Sequence, residues 1–213
     1  GSLHYYGTGN EIALTRLAPH DIAATGIART FQNIELFEHA SVLQNLLIGR
    51  HRHQKSGFWQ QVFFTKTVRD AEITARRHVE TVIELLDLQH YRDTMVAGLP
   101  YGIRKVVELA RALCAEPSLL LLDEPSSGLN VEETEDMAFW ITDIKEELGV
   151  TVLMVEHDMG LVGKVSDRVL ALADGAKLAE GTPAEVQSHP AVIEAYLGTS
   201  AISKTADAKG ART

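Results

Sequence analysis

The segment LLLLDEPSSGLN at residues 119–130 runs an apolar strand directly into two adjacent carboxylates, Asp123 and Glu124. A buried strand that simply ends at solvent would give the same pattern. The alternative is a functional site, because ligands of open α/β sheets bind beyond the carboxyl ends of the strands. Pro125 cannot donate a ladder hydrogen bond and closes the strand in either case.

The neighbouring segments predict a parallel sheet. SLLLL at 118–122 is followed by the segment 131–149, which begins acidic and ends at Gly149 as a helix does, and then by VTVLMVE at 150–156. Strand, helix and strand in this order form a β-α-β unit, whose crossover is almost always right-handed. Because both strands are continuously apolar, we expect helices to cover both faces of the sheet.

Other segments predict further elements. SLHYY at 2–6 and RVLAL at 168–172 are typical of strands, and Asp174-Gly175 predicts a hairpin turn after the second of them. Apolar residues at helical spacing predict an amphipathic helix over 69–88. Its apolar positions are 75, 79, 82, 83 and 86.

Composition limits the class of protein. The 213 residues are 45% hydrophobic and 23% charged, which is typical of a globular domain. A net charge of -9 argues against a protein that wraps nucleic acid, so no nucleic-acid partner is expected. The single cysteine, Cys114, cannot form an intrachain disulfide and fits a reducing compartment. No stretch approaches the roughly 18 consecutive apolar residues of a membrane span, so a membrane role would come through partners.

The polar residues beyond the strands suggest phosphoryl transfer. One carboxylate of the Asp123-Glu124 pair can face a metal ion while the other orients or deprotonates a nucleophile. His157 follows the next apolar strand in VEHDM and can hydrogen-bond a phosphate oxygen or the attacking water. A lone histidine is usually structural, but the repeated pattern of strand then polar residue favours a site. A plain metal-dependent hydrolase using these three residues and Asp158 is also possible.

The segment LPYGIRKVVELARAL places a turn with a glycine before a helix. Free N–H groups at a helix start favour anions, although many such helices bind nothing. Together with LLLLDEP, SSGLN, VEHDM and the upstream GIARTFQNIELF, this segment resembles the nucleotide-binding subunit of ABC transporters over about residues 1–198. GIARTFQN, the Pro-Tyr form of the signature motif and IEAYLGT are similar to the ATPase subunits of branched-chain amino acid importers.

The resemblance implies a role for each matching residue. Asp123 would hold Mg²⁺ through the coordination shell of the metal, and Glu124 would polarise the attacking water. His157 would contact the γ-phosphate of ATP. Gln32 would bind the nucleotide and its metal and link this site to the membrane subunit. The remaining nucleotide-binding residues implied are Leu99, Pro100, Tyr101, Gly102, Ser127 and Gly128.

The implied fold is α/β: a P-loop NTPase-like ABC ATPase core with a mainly parallel sheet, a helical subdomain at about 35–98 and an antiparallel β edge. Residues 1–198 would form an incomplete ABC ATPase domain and 199–213 a disordered tail. The signature residues would face nucleotide bound to the second ATPase subunit of a head-to-tail homodimer or heterodimer. Further expected partners are transmembrane permease subunits and, indirectly, a solute-binding protein, at the cytoplasmic face of the membrane.

Three departures from the family pattern affect these expectations. Pro100 stands where the commonest signature has serine, and Ile103 replaces a usual glutamine and so removes a polar contact. The phosphate loop G-x-x-x-x-G-K-[ST] does not occur in the 213 residues. Since it normally precedes the first residues of this chain, we expect an N-terminally incomplete domain with very weak ATP binding. The strands at 118–122 and 150–156 would then each lack a neighbour.

Two functions remain open. The first is an ATP-hydrolysing subunit that energises ABC-type import of branched-chain amino acids or related solutes, with this chain alone inactive. The second is a non-catalytic module that supplies the signature motif in trans to a partner ATPase. ABC proteins of translation or DNA maintenance would need a second cassette or a long coiled coil, and the sequence contains neither.

Overall fold

The structure is a computed structural model that describes residues 1–7, 9, 11–30, 34–50 and 66–195, with only the backbone of 66–68 and 71. The chain divides into two compact units, Gly1–Glu156 and His157–Thr213, and each is described by itself. Gln32, part of the segment 35–98 and the predicted tail at 199–213 lie outside the described residues.

The first unit begins with a small antiparallel ladder. Strand β1 (His4–Tyr5) pairs with β2 (Ile12–Ala13), and helix α1 (Pro19–Ala24) follows with a proline in its first turn. The proline suits this position because the first N–H groups of a helix have no intrahelical partner. The predicted strand at 2–6 is therefore present but only two residues long.

A parallel sheet forms the centre of the first unit. Strand β3 (Ile27–Arg29) pairs with β4 (Leu119–Asp123), and β4 pairs with β5 (Thr151–Val155). Leu120 and Leu122 of β4 are buried. Since β4 has a partner on each side, the prediction that this strand lacks a neighbour is wrong. Strand β5 lies at the edge of the described sheet.

The described residues of this unit form four longer helices. They are α2 (Val42–Gly49), α3 (Lys66–Leu85), α4 (Tyr101–Leu113) and α5 (Val131–Glu146). Helix α5 connects β4 to β5, which confirms the predicted β-α-β unit. It begins with a capping box, in which Asn130 and Glu133 each accept a hydrogen bond from the other's backbone N–H.

The edge strand β5 is less buried than the sequence predicts. Leu153 and Val155 are 59% and 63% exposed, whereas an apolar run covered on both faces should be buried throughout. The exposed residues alternate with partly buried ones, as side chains on a strand point to opposite faces. One face of β5 is therefore partly buried and the other faces solvent. The run is apolar on both faces, but only one face is covered.

The helices of the first unit pack through apolar faces. All five predicted apolar positions of α3 and the turn after it are buried, namely Ala75, Val79, Val82, Ile83 and Leu86. The segment before and at the start of α2 pairs through its backbone with residues 92–97. Asn45, buried in α2, fixes this segment by donating to Phe37 O and accepting from Phe37 N. Among the residues that the structure describes, no helix is both long and apolar enough to cross a membrane.

The second unit contains helix α6 (Met159–Val165), strands β6 (Val169–Ala173) and β7 (Ala176–Gly181), and helix α7 (Pro183–Gln187). β6 and β7 form the predicted antiparallel hairpin around Asp174 and Gly175. Ala171, Ala179, Val186 and Val192 form its buried core.

Candidate functional site

The site residues of the first unit lie at one edge of the parallel sheet. Because β3, β4 and β5 run parallel, their carboxyl ends meet there. The ladder continues past the strands, since Thr30 N donates to Leu121 O at 3.0 Å and Glu124 N donates to Val155 O at 2.9 Å. The structure thus places Asp123 and Glu124 at the same edge as the end of β3, the strand that leads towards Gln32.

Asp123 is the last residue of β4 and forms an ion pair with Arg29 of β3. The distance from Arg29 Nη2 to Asp123 Oδ2 is 2.9 Å. Both side chains are accessible to water, so the pair contributes little to stability. Its main effect is to hold the carboxylate at the sheet edge beside a positive charge.

Glu124 does not continue the alternation of the strand. Its φ is 48°, in the left-handed region that residues other than glycine seldom adopt. Its carbonyl oxygen accepts hydrogen bonds from Ser127 N at 3.1 Å and from Lys105 Nζ at 2.8 Å. The direction of the Glu124 carboxylate is therefore set by this turn and not by strand pleating.

The turn at 125–130, which carries the SSGLN motif, is held by contacts with distant residues. Glu156 Oε1 accepts from Ser126 N at 2.8 Å and from Ser126 Oγ at 2.6 Å. Gly128 has a φ of 78°, and a Cβ there would lie 2.8 Å from the Tyr101 ring. Ser127 is half-buried and Gly128 is exposed, and both predicted nucleotide-binding residues belong to this one turn.

The four predicted signature residues lie at the start of α4. Leu99 is buried, Pro100 is the N-cap, Tyr101 is partly exposed and Gly102 is buried. Pro100 has no side-chain group that could cap the first turn. A Cβ at Gly102 would lie 2.3 Å from Glu133 Oε1, and Glu133 is held in its capping box. Glycine therefore allows α4 and α5 to start close together.

Ile103 is half-buried in the first turn of α4. It lines a cavity together with the apolar residues Leu86, Leu88, Val106, Phe139 and Trp140 and the carboxylates of Asp87 and Asp136. This lining offers apolar contacts to an aliphatic side chain and also acceptors that a glutamine could use. Nothing in the structure explains why isoleucine stands at this position.

The remaining predicted residues lie outside the described part of the first unit. Gln32 lies outside the described residues. His157 is the exposed first residue of the second unit, directly after Glu156 in the sequence. Asp158, which an alternative hydrolase would use, caps helix α6 by accepting from Gly160 N and Leu161 N.

The donor set limits what metal the site could hold. The described residues contain no cluster of three or more His, Cys, Asp or Glu side chains suited to a metal ion. Mg²⁺ in phosphate sites needs only one or two carboxylates, because substrate phosphates supply further oxygens. Asp123 therefore fits a metal that arrives with a nucleotide, and a self-sufficient metal site is not supported among these residues.

Three residues beside the carboxylates are not singled out by the sequence analysis: Arg29, Lys105 and Glu156. Lys105 offers a weak signal, since it lies four residues after Tyr101 and three residues before Glu108 on one face of α4. It is only 6% exposed. Burial lowers the pKa of its ammonium group, and the carboxylates of Glu108, Glu156, Glu124 and Asp123 oppose that shift.

Comparison with known protein families identifies the chain. The model of the family described as ABC transporter matches residues 5–127. The model of the family described as branched-chain amino acid ATP-binding cassette transporter matches residues 176–202.

Individual proteins give the same result. The high-affinity branched-chain amino acid transport ATP-binding protein BraF of Pseudomonas aeruginosa is 40% identical over 199 residues, which cover 91% of this chain and 78% of BraF. LivG of Escherichia coli, a protein of the same description, is 36% identical with the same coverage.

Solved structures agree with these relatives. The ADP conformation of an ATP-binding cassette of an ABC transporter superposes with a TM-score of 0.71 at 29% identity, covering 88% of this chain and 74% of that one. A nucleotide-free ATP-binding cassette gives 0.67 at 27% identity, with coverages of 87% and 74%. The predicted fold class, an α/β ABC ATPase fold with a parallel sheet, helices and small antiparallel sheets, is confirmed. The chain belongs to the ATP-binding proteins of the ABC transporter family, in the branched-chain amino acid subfamily.

Proposed function

We propose that this chain is the ATP-hydrolysing subunit that energises import of branched-chain amino acids or related solutes. The observation that carries the proposal is the pair Asp123 and Glu124, held at the carboxyl edge of a parallel sheet beside the SSGLN turn. The relatives BraF and LivG, described as branched-chain amino acid transport ATP-binding proteins, supply the solute class.

In this proposal each carboxylate has a separate task. Asp123 holds Mg²⁺ through the coordination shell of the metal. The metal would supply positive charge to the phosphates when it is bound with ATP. Glu124 orients and polarises the attacking water, and a general base typically contributes about 10²–10⁴-fold to the rate. Gln32 and His157 complete the contacts to the metal and the γ-phosphate.

The signature residues have their task at a second site. Leu99, Pro100, Tyr101 and Gly102 face nucleotide bound to another ATPase subunit in a head-to-tail dimer, with Ser127 and Gly128 at the same interface. The support is the start of α4, where the first N–H groups have no intrahelical partner and the N-cap Pro100 supplies no side-chain acceptor. Transmembrane permease subunits hold this dimer at the cytoplasmic face of the membrane, and a solute-binding protein delivers the solute to the permease.

The phosphate loop is the part that the 213 residues do not contain. Backbone N–H groups and a lysine of that loop normally cradle the phosphates. We therefore propose that these residues alone turn over ATP very weakly, and that full activity needs a phosphate loop supplied from outside them. If the loop comes from a partner ATPase alone, the chain is instead a non-catalytic module that offers its signature motif in trans.

The test is ATP hydrolysis by the protein purified from its native source, with its intact mass measured on the same preparation. Glu124→Gln should lower turnover by at least about 100-fold while ATP binding is retained, because the variant keeps the shape but loses the base. Glu84→Gln, an exposed position on α3, is the matched control and should keep normal turnover.

Two results would contradict the proposal. Turnover that survives Glu124→Gln would exclude Glu124 as the group that activates water. A wild-type preparation with no turnover, but with ATP-dependent association with a partner that has an intact phosphate loop, would favour the non-catalytic module.

A further inference from the structure

The backbone at Glu124 needs an explanation beyond its own sequence. A glutamate in the left-handed region costs about 1–2 kcal/mol relative to the usual conformations. Such a conformation persists only where surrounding structure determines it. Glu124 N is fixed by Val155 O, and its carbonyl oxygen is fixed by Ser127 N and by Lys105 Nζ.

Lys105 is the contact that comes from another element. Its ammonium group lies 2.8 Å from Glu124 O, and the two residues are 19 positions apart in the chain. It belongs to the second turn of α4, one helical turn after Tyr101, whose ring centroid is 6.0 Å from Lys105 Nζ. The same Tyr101 ring packs beside Gly128. Helix α4 thus contacts Glu124, just before the SSGLN turn, and lies beside Gly128 within it.

A buried ammonium group at this place is costly unless it has partners. Burial disfavours its charged form, whereas the carboxylates of Glu108, Glu156, Glu124 and Asp123 favour it. Lys105, Glu108, Asp123 and Pro125 also line one small cavity under the end of β4. A methionine or leucine would fill the same space without desolvating a charge, so packing alone does not explain the lysine.

We propose that Lys105 is a positioning residue, which fixes the left-handed turn at Glu124 and couples the position of helix α4 to the Glu124 carboxylate. The inference rests on the proposed function, in which Glu124 orients water and the start of α4 faces nucleotide on a second subunit. A helix is stiff over one turn, so a displacement at Tyr101 moves Lys105 and with it the carbonyl of Glu124. Nucleotide bound at one site is thereby sensed by the water-activating carboxylate of the other.

The experiment compares Lys105→Met with Lys105→Arg in the complete ATPase from its native source. Methionine is unbranched and keeps most of the length of lysine but cannot donate a hydrogen bond, whereas arginine can still donate to Glu124 O. Lys177→Met, at an exposed position on β7, is the matched control. We expect Lys105→Met to lower kcat by about 100-fold, as a small misplacement of a reacting group does, with little change in the KM for ATP. Lys105→Arg should restore most of kcat.

A second measurement does not depend on activity. Hydrogen–deuterium exchange of the peptide 123–130 should become faster in Lys105→Met, because the amides of Glu124 and Ser127 belong to the turn that Lys105 holds. Exchange in α3 should stay as in the wild type. Unchanged exchange at 123–130, or faster exchange throughout the unit, would overturn the positioning role.

The two proposals fail in distinguishable ways. If the wild type hydrolyses no ATP, the proposed function fails, and exchange still decides whether Lys105 holds the turn. If the wild type is active and Lys105→Met has the same kcat, Lys105 has no positioning role, and the assignment of Glu124 stands.

Discussion

Two turns of this molecule use the same unusual backbone in different ways. Glu124, after β4, has a φ of 48°, and Asp174, between β6 and β7, has a φ of 49°. Asp174 is followed by Gly175 with a φ of 76°, and two positive φ values in sequence are typical of a two-residue type I′ hairpin turn. Glu124 is followed by proline and belongs to no such turn.

The difference is in what stabilises each turn. Aspartate tolerates the left-handed region and glycine adopts it freely, so the hairpin turn is encoded by its own two residues. The Glu124 turn depends on Lys105, Val155 and Glu156, which come from other elements. A strained conformation held by tertiary contacts is typical of functional sites. The hairpin turn therefore reverses the chain, whereas the Glu124 turn sets the direction of a side chain.

Glu156→Ala should have the largest effect on stability among three tests of this comparison. It would leave the Ser126 N–H and hydroxyl without their acceptor, which costs about 1–3 kcal/mol for a buried group. The free energy of unfolding from a urea titration measures the loss. Glu156→Gln keeps an acceptor oxygen and is the control, with a smaller loss expected. Equal stability of Glu156→Ala and the wild type would mean that Glu156 does not stabilise the turn.

Asp174→Val should have an intermediate effect. A β-branched residue in the left-handed region costs about 1–2 kcal/mol, and no distant contact compensates for it in the described hairpin. The same urea titration applies, with Asp174→Asn as the control because asparagine tolerates this region. A valine variant as stable as the asparagine variant would show that the hairpin does not depend on its turn residues.

Glu180→Ala should have the smallest effect. Glu180 forms ion pairs with Arg168 and Lys177 on the hairpin surface, and exposed pairs are screened by salt. The hydrogen bond from Lys177 lowers the pKa of Glu180, so any stabilisation is present above its usual pKa of 4.5 and is lost as the pH falls through the folded value. The difference in Tm between the variant and the wild type, measured by thermal unfolding at low and at high salt, gives the contribution of the ion pairs. A large loss that salt does not reduce would contradict the assignment of these pairs to the surface.

Local patterns account for much of the fold. The hairpin, the β-α-β unit and the apolar face of α3 are predicted correctly because each depends on residue spacing within one or two elements. The prediction for β5 is wrong in its exposure, since an apolar run does not say how many layers cover it. The prediction that β4 lacks a neighbour is wrong because β3 and β5 supply one on each side.

The residues of the candidate site also fall into two groups, those that local motifs predict and those that they do not. Asp123, Glu124 and the signature residues are found from motifs, whose order along the chain also identifies the family. Motifs do not reveal Arg29, Lys105 and Glu156. A lysine within a helix or a glutamate after a strand occurs in many structural contexts and does not indicate a site by itself. The partners of these three residues are 94, 19 and 30 residues away in the chain.

By itself, the sequence determined the two strands and the helix of the β-α-β unit, the amphipathic helix α3, where the hairpin turns, and which carboxylates follow β4. These properties are set by spacing and turn chemistry over a few residues. Only the tertiary structure decided that the carbonyl of Glu124 meets the ammonium of Lys105 and that Ser126 meets Glu156. The physical reason is that these contacts exist only once α4 and β5 pack around β4, and no local pattern records which distant side chain arrives there.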